Sequence, residues 1–351
     1  MSQPVTLKTI AEKAGVNPST VSRALRNHSS IPIATRKKIQ KIAKSLNYQP
    51  NSFGLNLAAQ RHYAQAEVRA LLACLIGHRE WNPMEYVQFY ELLFQGAQRR
   101  AEQQGYLLEL FWVYDEAYRG KALQRILRAR SVQGLVLMAV DPSELSLKWE
   151  DFSVATIHEG HKNRMFHSVK YDYFQVIQLA IDRVVGHGYQ KIGLFCNHGL
   201  DTNSKYQMTG GFHVGCEKYK SITKIDPFYY QAPQKRRELE KDLRQWLERY
   251  QPDCVLTAGG FIARTHQKVI FLRNILKEQL AQLGNLKTVV VDLEMETEES
   301  SFAGMRIPLK EMGATTIDLI TAQLYRGERG FVTSKKTVHM LGEWRSGSSS
   351  L

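Results

Sequence analysis

The stretch that decides the first domain runs from Val5 to Leu25 and reads VTLKTIAEKAGVNPSTVSRAL. Its first half predicts an amphipathic helix, because apolar residues recur at helical spacing, at Leu7, Ile10, Ala11 and Ala14. Gly15 follows as a turn residue, since glycine carries no Cβ penalty in a left-handed conformation. Asn17 and Pro18 then predict the start of a second helix, because asparagine is a good N-cap and proline suits the first helical position.

The second helix is predicted over residues 18–25, with an apolar side and a polar side. The apolar residues are Val21, Ala24 and Leu25, and the polar residues are Ser19, Thr20, Ser22 and Arg23. A third amphipathic helix is predicted over residues 34–46. Two helices joined by a tight glycine turn are typical of a helix-turn-helix, whose second helix enters the major groove of DNA. A three-helix bundle without a ligand has the same pattern, so the helices alone leave that alternative open.

Positive charge is concentrated in this segment. The chain has a formal net charge of +13, and residues 1–65 contain ten Lys and Arg residues but a single acidic residue, Glu12. A positive field of this kind suits a polyanion, since binding releases the counterions condensed on DNA. A solvated basic face fits the charge equally well, so charge by itself does not decide between the two.

Three segments resemble the lac-repressor (LacI/GalR) family of transcription regulators. They are the stretch quoted above, IPIATRKKI at residues 31–39 and LNYQPN at residues 46–51. The signature AGVxxxTVSR, followed at the family's distances by TR and NYxPN, is highly specific. The resemblance therefore favours a DNA-binding unit over a bundle without a ligand.

The resemblance implies roles for individual residues. Pro18, Ser19 and Arg23 lie where the family reads bases. Phosphate and groove contacts are implied for Thr6, Asn17, Thr20, Ser22 and Asn27. The sequence departs from the family at Arg26, where asparagine is usual, and at Pro32, where a serine-like residue usually caps the third helix.

The following segment resembles the family's hinge, a short helix that forms on the operator. Leu57 occupies the position of a leucine that wedges into the minor groove, where an inserted apolar side chain kinks the duplex. Gly54 stands in place of the usual alanine and weakens a helix here by about 1 kcal/mol. A plain linker, with Leu57 packed on the larger domain, is the alternative interpretation.

The rest of the chain alternates between strand and helix patterns. Apolar runs predict buried parallel strands at residues 70–76, 107–113, 134–140, 191–196, 254–257 and 288–291. Helical patterns lie between them, such as the apolar face made by Phe89, Leu92, Leu93, Gly96 and Ala97. This alternation predicts βαβ units and doubly wound sheets. Because the total is too large for one compact sheet, we expect two α/β lobes.

The family resemblance continues more loosely through this region. It is carried by VKYD at 169–172, GYQKIGLF at 188–195, GF at 211–212 and WRS at 344–346. It implies lobes of residues 68–168 plus 299–331 and of residues 169–298 plus 332–351. The implied domains are an all-α helix-turn-helix domain (1–50), a hinge (51–67), and a two-lobed, periplasmic-binding-protein-like α/β domain for effector binding and dimerisation (68–351).

Ligands of such folds bind between the lobes, beyond the carboxyl ends of the strands. The candidate effector contacts at these ends are Trp81, His158, Asp201, Met208, Gly260 and Asp292. Here the sequence departs from the family, because Met208 replaces an arginine that clamps the ligand and Gly259–Gly260 replaces an Asn-Asp pair. A small carbohydrate-related effector is expected, although an unusual ligand, substituted contacts or no ligand would also fit.

Other classes of protein have less support in the sequence. No stretch approaches the ~20 apolar residues of a membrane span, and the N-terminus lacks the features of a signal peptide. The four cysteines are far apart, which is typical of reduced, buried thiols in a cytoplasmic protein. HEGH at 158–161 lacks the spacing of a zinc helix, and no nucleophile elbow, phosphate-binding loop or dinucleotide motif occurs. We therefore predict no metal, cofactor or enzymatic activity.

Together these patterns predict a transcription regulator, most simply a repressor. It would bind a near-palindromic double-stranded operator as a homodimer, with an affinity modulated by the effector and without a membrane partner. The alternative is a soluble ligand-binding or enzymatic α/β protein that retains a non-functional helical cap.

Overall fold

The chain divides into two compact units, Met1–Ala66 and Glu67–Leu351. The structure, a computed structural model, describes residues 7–25, 31–46, 70–77, 87–157, 166–230, 236–258, 287–293 and 303–347. Each unit has its own hydrophobic core, so the two are described in turn.

The first unit consists of three helices: α1 Leu7–Ala14, α2 Pro18–Leu25 and α3 Ile33–Ser45. The apolar residues predicted from helical spacing form its core, and Ile10, Val21 and Ile39 are fully buried. α3 begins one residue before its predicted start. The backbone oxygen of Pro32 accepts the amide of Arg36 at 3.0 Å, but no side chain caps this end. The prediction of three packed helices is confirmed.

The larger unit contains two six-stranded sheets. The first sheet is made of β1 Ala70–Ile76, β2 Tyr106–Trp112, β3 Gly134–Met138, β4 Ser153–Ile157, β5 His167–Tyr171 and β11 Thr337–Met340. Its strands are all parallel and lie in the order β11-β5-β4-β3-β1-β2. β1 and β3 are uninterrupted apolar runs, which is typical of central parallel strands covered on both faces.

The second sheet has the same construction. Its strands are β6 Ile192–Asn197, β7 Phe228–Tyr230, β8 Cys254–Ala258, β9 Lys287–Leu293, β10 Ala303–Arg306 and β12 Glu343–Arg345. They lie in the order β12-β10-β9-β8-β6-β7, and all pairs are parallel except β10 with β12. The predicted two-lobed α/β architecture is confirmed.

Helices cover the faces of both sheets. They are α4 Val87–Gln103, α5 Ala122–Ala129, α6 Tyr173–Gly186, α7 His198–Asn203, α8 Gln207–Glu217, α9 Arg236–Tyr250 and α10 Leu309–Arg326. Single turns of 3₁₀ helix occur at Glu116–Tyr118, Pro142–Glu144 and Trp149–Asp151. None of the helices in the described ranges is long and apolar enough to cross a membrane.

The chain passes between the sheets three times, after β5, after β10 and after β11. The lobe limits that the resemblance implied are wrong at two places. Residues 169–171 of β5 pair within the first sheet, although the limits put them in the second lobe, and the limits also fail near the C-terminus. Strand Ala303–Arg306 lies in the second sheet instead of the first lobe, and strand Thr337–Met340 lies in the first sheet instead of the second lobe. Both are four-residue edge or near-edge strands, and β11 alternates between exposed and half-buried residues, so no buried apolar run marks them in the sequence.

Two glycines bring the helices of the first lobe into close contact. A Cβ atom on Gly96 of α4 would lie 2.0 Å from the backbone oxygen of Lys310, and one on Gly313 of α10 would lie 2.0 Å from that of Leu93. The absence of a side chain at both positions therefore lets the two backbones touch. This contact holds α10 against α4. α10 follows the second crossing, whereas α4 follows β1 at the start of the first lobe.

A side-chain amide completes the start of β4. The Gln323 side chain is fully buried, its oxygen accepts the amide of Val154 at 3.2 Å, and its nitrogen donates to the Val154 carbonyl at 3.1 Å. β5 pairs with β4 only from Ala155 onward, so Gln323 takes the place of a strand partner at Val154. Because buried backbone groups must be paired, this residue holds α10 in register with the sheet.

A buried histidine connects β5 to the return of the chain. Nδ1 of His167 accepts the backbone amide of Lys336 at 3.1 Å, so the ring is neutral and its protonated Nε2 donates to Glu328 Oε1 at 3.1 Å. Burial lowers the pKa of His167, against the opposing effect of Glu328. The side chain is entirely buried, and protonation of Nδ1 would break the bond to Lys336.

All four cysteines are free and buried, as predicted. Burial raises the pKa of Cys216 to about 11 and raises the pKa of the other three thiols further. Since the thiolate is the reactive form, these cysteines behave as small apolar core residues.

We predict that Gly96→Ala and Gly313→Ala each destabilise the larger unit by about 1–3 kcal/mol or more, because the added methyl group must displace the facing backbone. Urea denaturation measures this as a lower midpoint. Gly186→Ala is the matched control, since a Cβ at this helical glycine meets nothing within 4 Å. The control should be neutral or stabilising by up to about 1 kcal/mol. Equal midpoints for all three variants and the wild type would contradict the contact.

We also predict that stability falls as pH is lowered through the ordinary histidine pKa of 6.5, in part because of His167. The folded protein holds this group neutral, so the unfolded chain binds the proton more readily. Proton binding therefore stabilises the unfolded chain relative to the folded protein as pH falls. His167→Gln should show a smaller loss of unfolding free energy between neutral pH and pH about 5.5. The exposed His187→Gln is the control and should keep the wild-type dependence. The assignment fails if both variants titrate alike.

Candidate nucleic-acid interface and effector site

The turn between α1 and α2 is fixed by backbone hydrogen bonds. Gly15 has φ +70°, in the left-handed region, and the amide of Val16 donates to Ala11 O at 3.1 Å. The oxygen of Asn17 accepts the amides of Thr20 at 2.9 Å and Val21 at 3.2 Å, which starts α2. The glycine and the asparagine therefore have the positions that the sequence predicts for them.

α2 presents a polar face to solvent. Val21 and Ala24 are fully buried, whereas Pro18, Ser19 and Arg23 are exposed. Arg23 makes no hydrogen bond or ion pair with any described residue. Within the described part of the chain its guanidinium group has no partner, and such a group can donate two parallel hydrogen bonds to a guanine edge or to a phosphate.

Two polar residues of α3 support this arrangement, and sequence analysis did not identify their role. Lys38 Nζ donates to the oxygen of Ala14 at 3.3 Å, and Gln40 Nε2 donates to the oxygen of Ala24 at 3.4 Å. Each bond satisfies a carbonyl group at the C-terminal end of a helix, where intrahelical partners are missing. Nothing in the sequence spacing of Lys38 distinguishes it from the neighbouring exposed lysines of α3.

The remaining predicted DNA contacts divide into two groups. Asn17 is exposed and Thr20 is half-buried in the first turn of α2. Ser22 lies within α2, but its side chain is outside the described residues, as are Thr6, Asn27 and Leu57. Their predicted roles are therefore untested.

Three of the predicted effector residues are described, and all three are buried. Asp201 is 1% exposed. Its carboxylate accepts the amides of Met208 at 3.0 Å and Thr209 at 3.3 Å and also the Thr209 hydroxyl. These bonds satisfy the first turn of α8, which begins after the left-handed residues Lys205 and Tyr206. In this arrangement Asp201 positions α8.

Met208 points into the second lobe. Its side chain is 1% exposed, and its sulfur lies 3.5 Å from Cys196 Sγ in the core beneath β6. The replacement of the family's arginine by methionine therefore removes a charge and also fills core volume. The polar groups next to it are the Thr209 hydroxyl and the Tyr229 OH, which are 2.8 Å apart.

Asp292 lies at the end of β9, near the first crossing. It is 4% exposed and belongs to the surroundings of Tyr171, whose OH donates to Val291 O at 2.8 Å. Burial, followed by the charges of Asp292 and Asp172, raises the pKa of Tyr171 well above its usual value, so the hydroxyl keeps its proton and donates. Two residues of the VKYD segment thus have structural roles. Tyr171 joins the first lobe to the second sheet through its hydrogen bond to Val291. Asp172 caps α6 by accepting the amide of Gln175 at 3.0 Å.

A lysine pair near this crossing was not identified from the sequence. Burial, followed by the charge of Lys205, lowers the pKa of Lys170 to about 8. Lys170 is on β5 of the first sheet and Lys205 precedes α8 of the second lobe, so the charge of a second-lobe residue contributes to the low pKa of a residue in the first sheet. No sequence pattern connects residues that are 35 positions apart on different elements.

Trp81, His158 and Gly260 lie outside the described residues, so their predicted contacts are untested. The segment HEGH at residues 158–161 also lies outside the described residues. Among the residues that the structure does describe, no group of three or more His, Cys, Asp and Glu side chains is arranged to hold a metal ion.

Comparison with known proteins bears on the first unit most directly. Residues 6–51 match the family model "Bacterial regulatory proteins, lacI family". The HTH-type transcriptional regulator MalR of Streptococcus pneumoniae is 30% identical over 135 residues, which cover 38% of this chain and 39% of MalR. This chain therefore spans about two fifths of the length of that relative.

Solved structures bear on the fold of the whole chain. A transcriptional regulator CelR–cellobiose complex matches with a TM-score of 0.57 at 17% identity, covering 99% of this chain and 100% of that chain. The lac repressor dimer bound to operator and the anti-inducer ONPF matches with a TM-score of 0.51 at 19% identity, covering 97% and 98%. At these identities the likeness shows the fold. The helix-turn-helix unit is thus similar to the lacI family of bacterial regulatory proteins, and the chain has the fold of the CelR and lac repressor structures.

Proposed function

We propose that this protein is a sequence-specific DNA-binding transcription regulator, a repressor, whose affinity for its operator is changed by a small carbohydrate-related molecule. The observation that carries the proposal is the exposed face of α2, with its uncommitted Arg23, on a unit that matches the lacI-family model. A short polar helix of this kind fits the major groove.

The proposed DNA contacts have different tasks. Pro18, Ser19 and Arg23 approach base edges, and the neighbouring polar residues Thr6, Asn17, Thr20, Ser22 and Asn27 hold phosphates. Leu57 wedges into the minor groove. Two copies of the unit reading two half-sites require a homodimer on a near-palindromic operator, the assembly named for the lac repressor structure.

The proposed effector site lies between the lobes, at the carboxyl ends of the two sheets. The chain crosses there three times, so a ligand that contacts both lobes changes the balance between their arrangements, and through it the distance between the two hinges. Cellobiose is present in the CelR structure, which supports a carbohydrate as the ligand class. Since Asp201 and Met208 are committed to the core, we assign direct contacts to the exposed groups beside them, among them Tyr229 and Lys205.

We predict that Arg23→Ala weakens binding to the genomic fragment that the wild type selects by about 1–3 kcal/mol and relaxes its preference at one base position. Arg23→Lys is the matched variant, because it keeps the charge but loses the planar fork. It should retain the salt dependence of binding and lose the base preference. Fragment selection followed by competition binding measures both quantities. If neither variant changes the selected sequence, Arg23 does not read bases.

We predict that a neutral or anionic sugar raises the melting temperature of the full chain, because a ligand bound only by the folded state stabilises it by about 2.7 kcal/mol at a hundred times its Kd. A thermal-shift panel of maltose, cellobiose, glucose, glucose 6-phosphate and glucuronate tests this. Arg23→Ala is the control and should give the same shift, since it lies in the other unit. No shift with any sugar would contradict a carbohydrate effector.

A further inference from the structure

The outward side of α3 carries a row of lysines that the proposed operator contacts do not use. Ile39 and Ala43 face the core. At about 100° per residue, Lys37, Lys41 and Lys44 lie within about 60° of one another on the opposite side of the helix. We call Lys37, Lys41 and Lys44 the lysine row.

The lysine row is exposed and has no partner among the residues that the structure describes. All three side chains are exposed, and none makes a hydrogen bond or an ion pair with a described residue. Lys38, which lies beside them in the sequence, is instead committed to the oxygen of Ala14. Residues 1–65 contain one carboxylate, that of Glu12 on α1, so the positive charge of the lysine row is almost uncompensated within its own unit.

The lysine row has the chemistry of a phosphate-binding surface. At 1.5 Å per residue it is about 10 Å long, which corresponds to about three base-pair steps along a duplex. Lysine neutralises phosphates as a point charge and carries no information about base sequence. Protein interfaces are instead centred on aromatic and apolar residues and are depleted in lysine. Ile33 is the one large apolar residue exposed on the described part of α3, so a nucleic-acid backbone is the better fit.

The lysine row and the polar face of α2 lie on the outer sides of two different helices. Val21 and Ala24 of α2 pack on the same small core as Ile39 and Ala43 of α3. The exposed sides of the two helices therefore point away from that core in different directions. When α2 occupies a major groove, the lysine row is left facing outward.

We propose that the lysine row is a second, sequence-independent DNA-binding surface, which holds the phosphate backbone of another duplex segment while α2 occupies the operator. This inference rests on the proposed function, because it takes duplex DNA as the partner of the unit. Such a surface lets one bound regulator exchange between, or bridge, two segments of DNA. Its affinity depends on salt through the release of counterions.

The test uses the full-length protein bound to saturation on its immobilised selected fragment, to which a labelled duplex of unrelated sequence is added. The variant is Lys37→Gln/Lys41→Gln/Lys44→Gln. The control is Lys121→Gln/Lys220→Gln/Lys241→Gln, which removes the same charge from three exposed lysines of the larger unit. Thermal unfolding of both proteins checks that they remain folded.

We expect the wild type and the control to retain the labelled duplex equally. The lysine-row variant should lose at least about tenfold in affinity for it, and its log–log salt slope should be shallower by about 2 to 3, since each phosphate contact contributes about 0.9. Its affinity for the selected fragment should be unchanged.

Three results would overturn the inference while leaving the proposed function intact. In the first, neither the wild type nor the variant retains the labelled duplex. In the second, the variant and the control lose equal affinity for it. In the third, only the affinity for the selected fragment falls, which would place the lysine row on the operator. If the wild type selects no fragment at all, the proposed function itself fails.

Discussion

The contact between α4 and α10 is the constraint on which the two-lobed unit depends. α10 follows the second crossing, and it can return to the first lobe only where its backbone lies against that of α4, at Gly96 and Gly313. Once it lies there, Gln323 pairs with Val154 and the chain emerges beside β5, where β11 completes the first sheet. Two missing side chains thus determine where a segment more than 200 residues away in the sequence must pack.

The same crossing region defines what a ligand between the lobes would act on. Tyr171, the last residue of β5, donates its hydroxyl to Val291 of the second sheet, and β11 and β12 are separated by two residues. The lobes are therefore connected by short covalent segments and a buried hydrogen bond. Such connections permit small rotations between well-packed bodies, which is the kind of motion that a ligand can bias through differential contacts.

The first unit shows how a very small domain keeps one helix available for a partner. Among the described residues its core consists of eight buried residues, all of them alanine, valine or isoleucine. The side chains of Lys38 and Gln40 bond to the C-terminal ends of α1 and α2, and on the polar face of α2 Ser19 and Arg23 are exposed. A buried charge would need a partner within the protein. Arg23 is exposed and has no partner among the described residues, so its guanidinium group can bind a polyanion.

The sequence by itself determined the helix-turn-helix, because its signals are local: helical spacing in residues 7–14, a glycine turn and an Asn-Pro start lie within one short stretch. It also determined six strands, since each is a run of mostly apolar residues, although the prediction of burial is wrong for β2, where Leu107 and Leu110 are exposed. Tertiary structure alone decided to which sheets β10 and β11 belong. Their sequences are short and partly polar, so only the strands beside them identify the sheet. It likewise decided that Asp201 caps α8, that Met208 lies in the core, and that the charge of Lys205 acts on Lys170. These outcomes depend on distances between elements remote in the chain, and no local pattern encodes such distances.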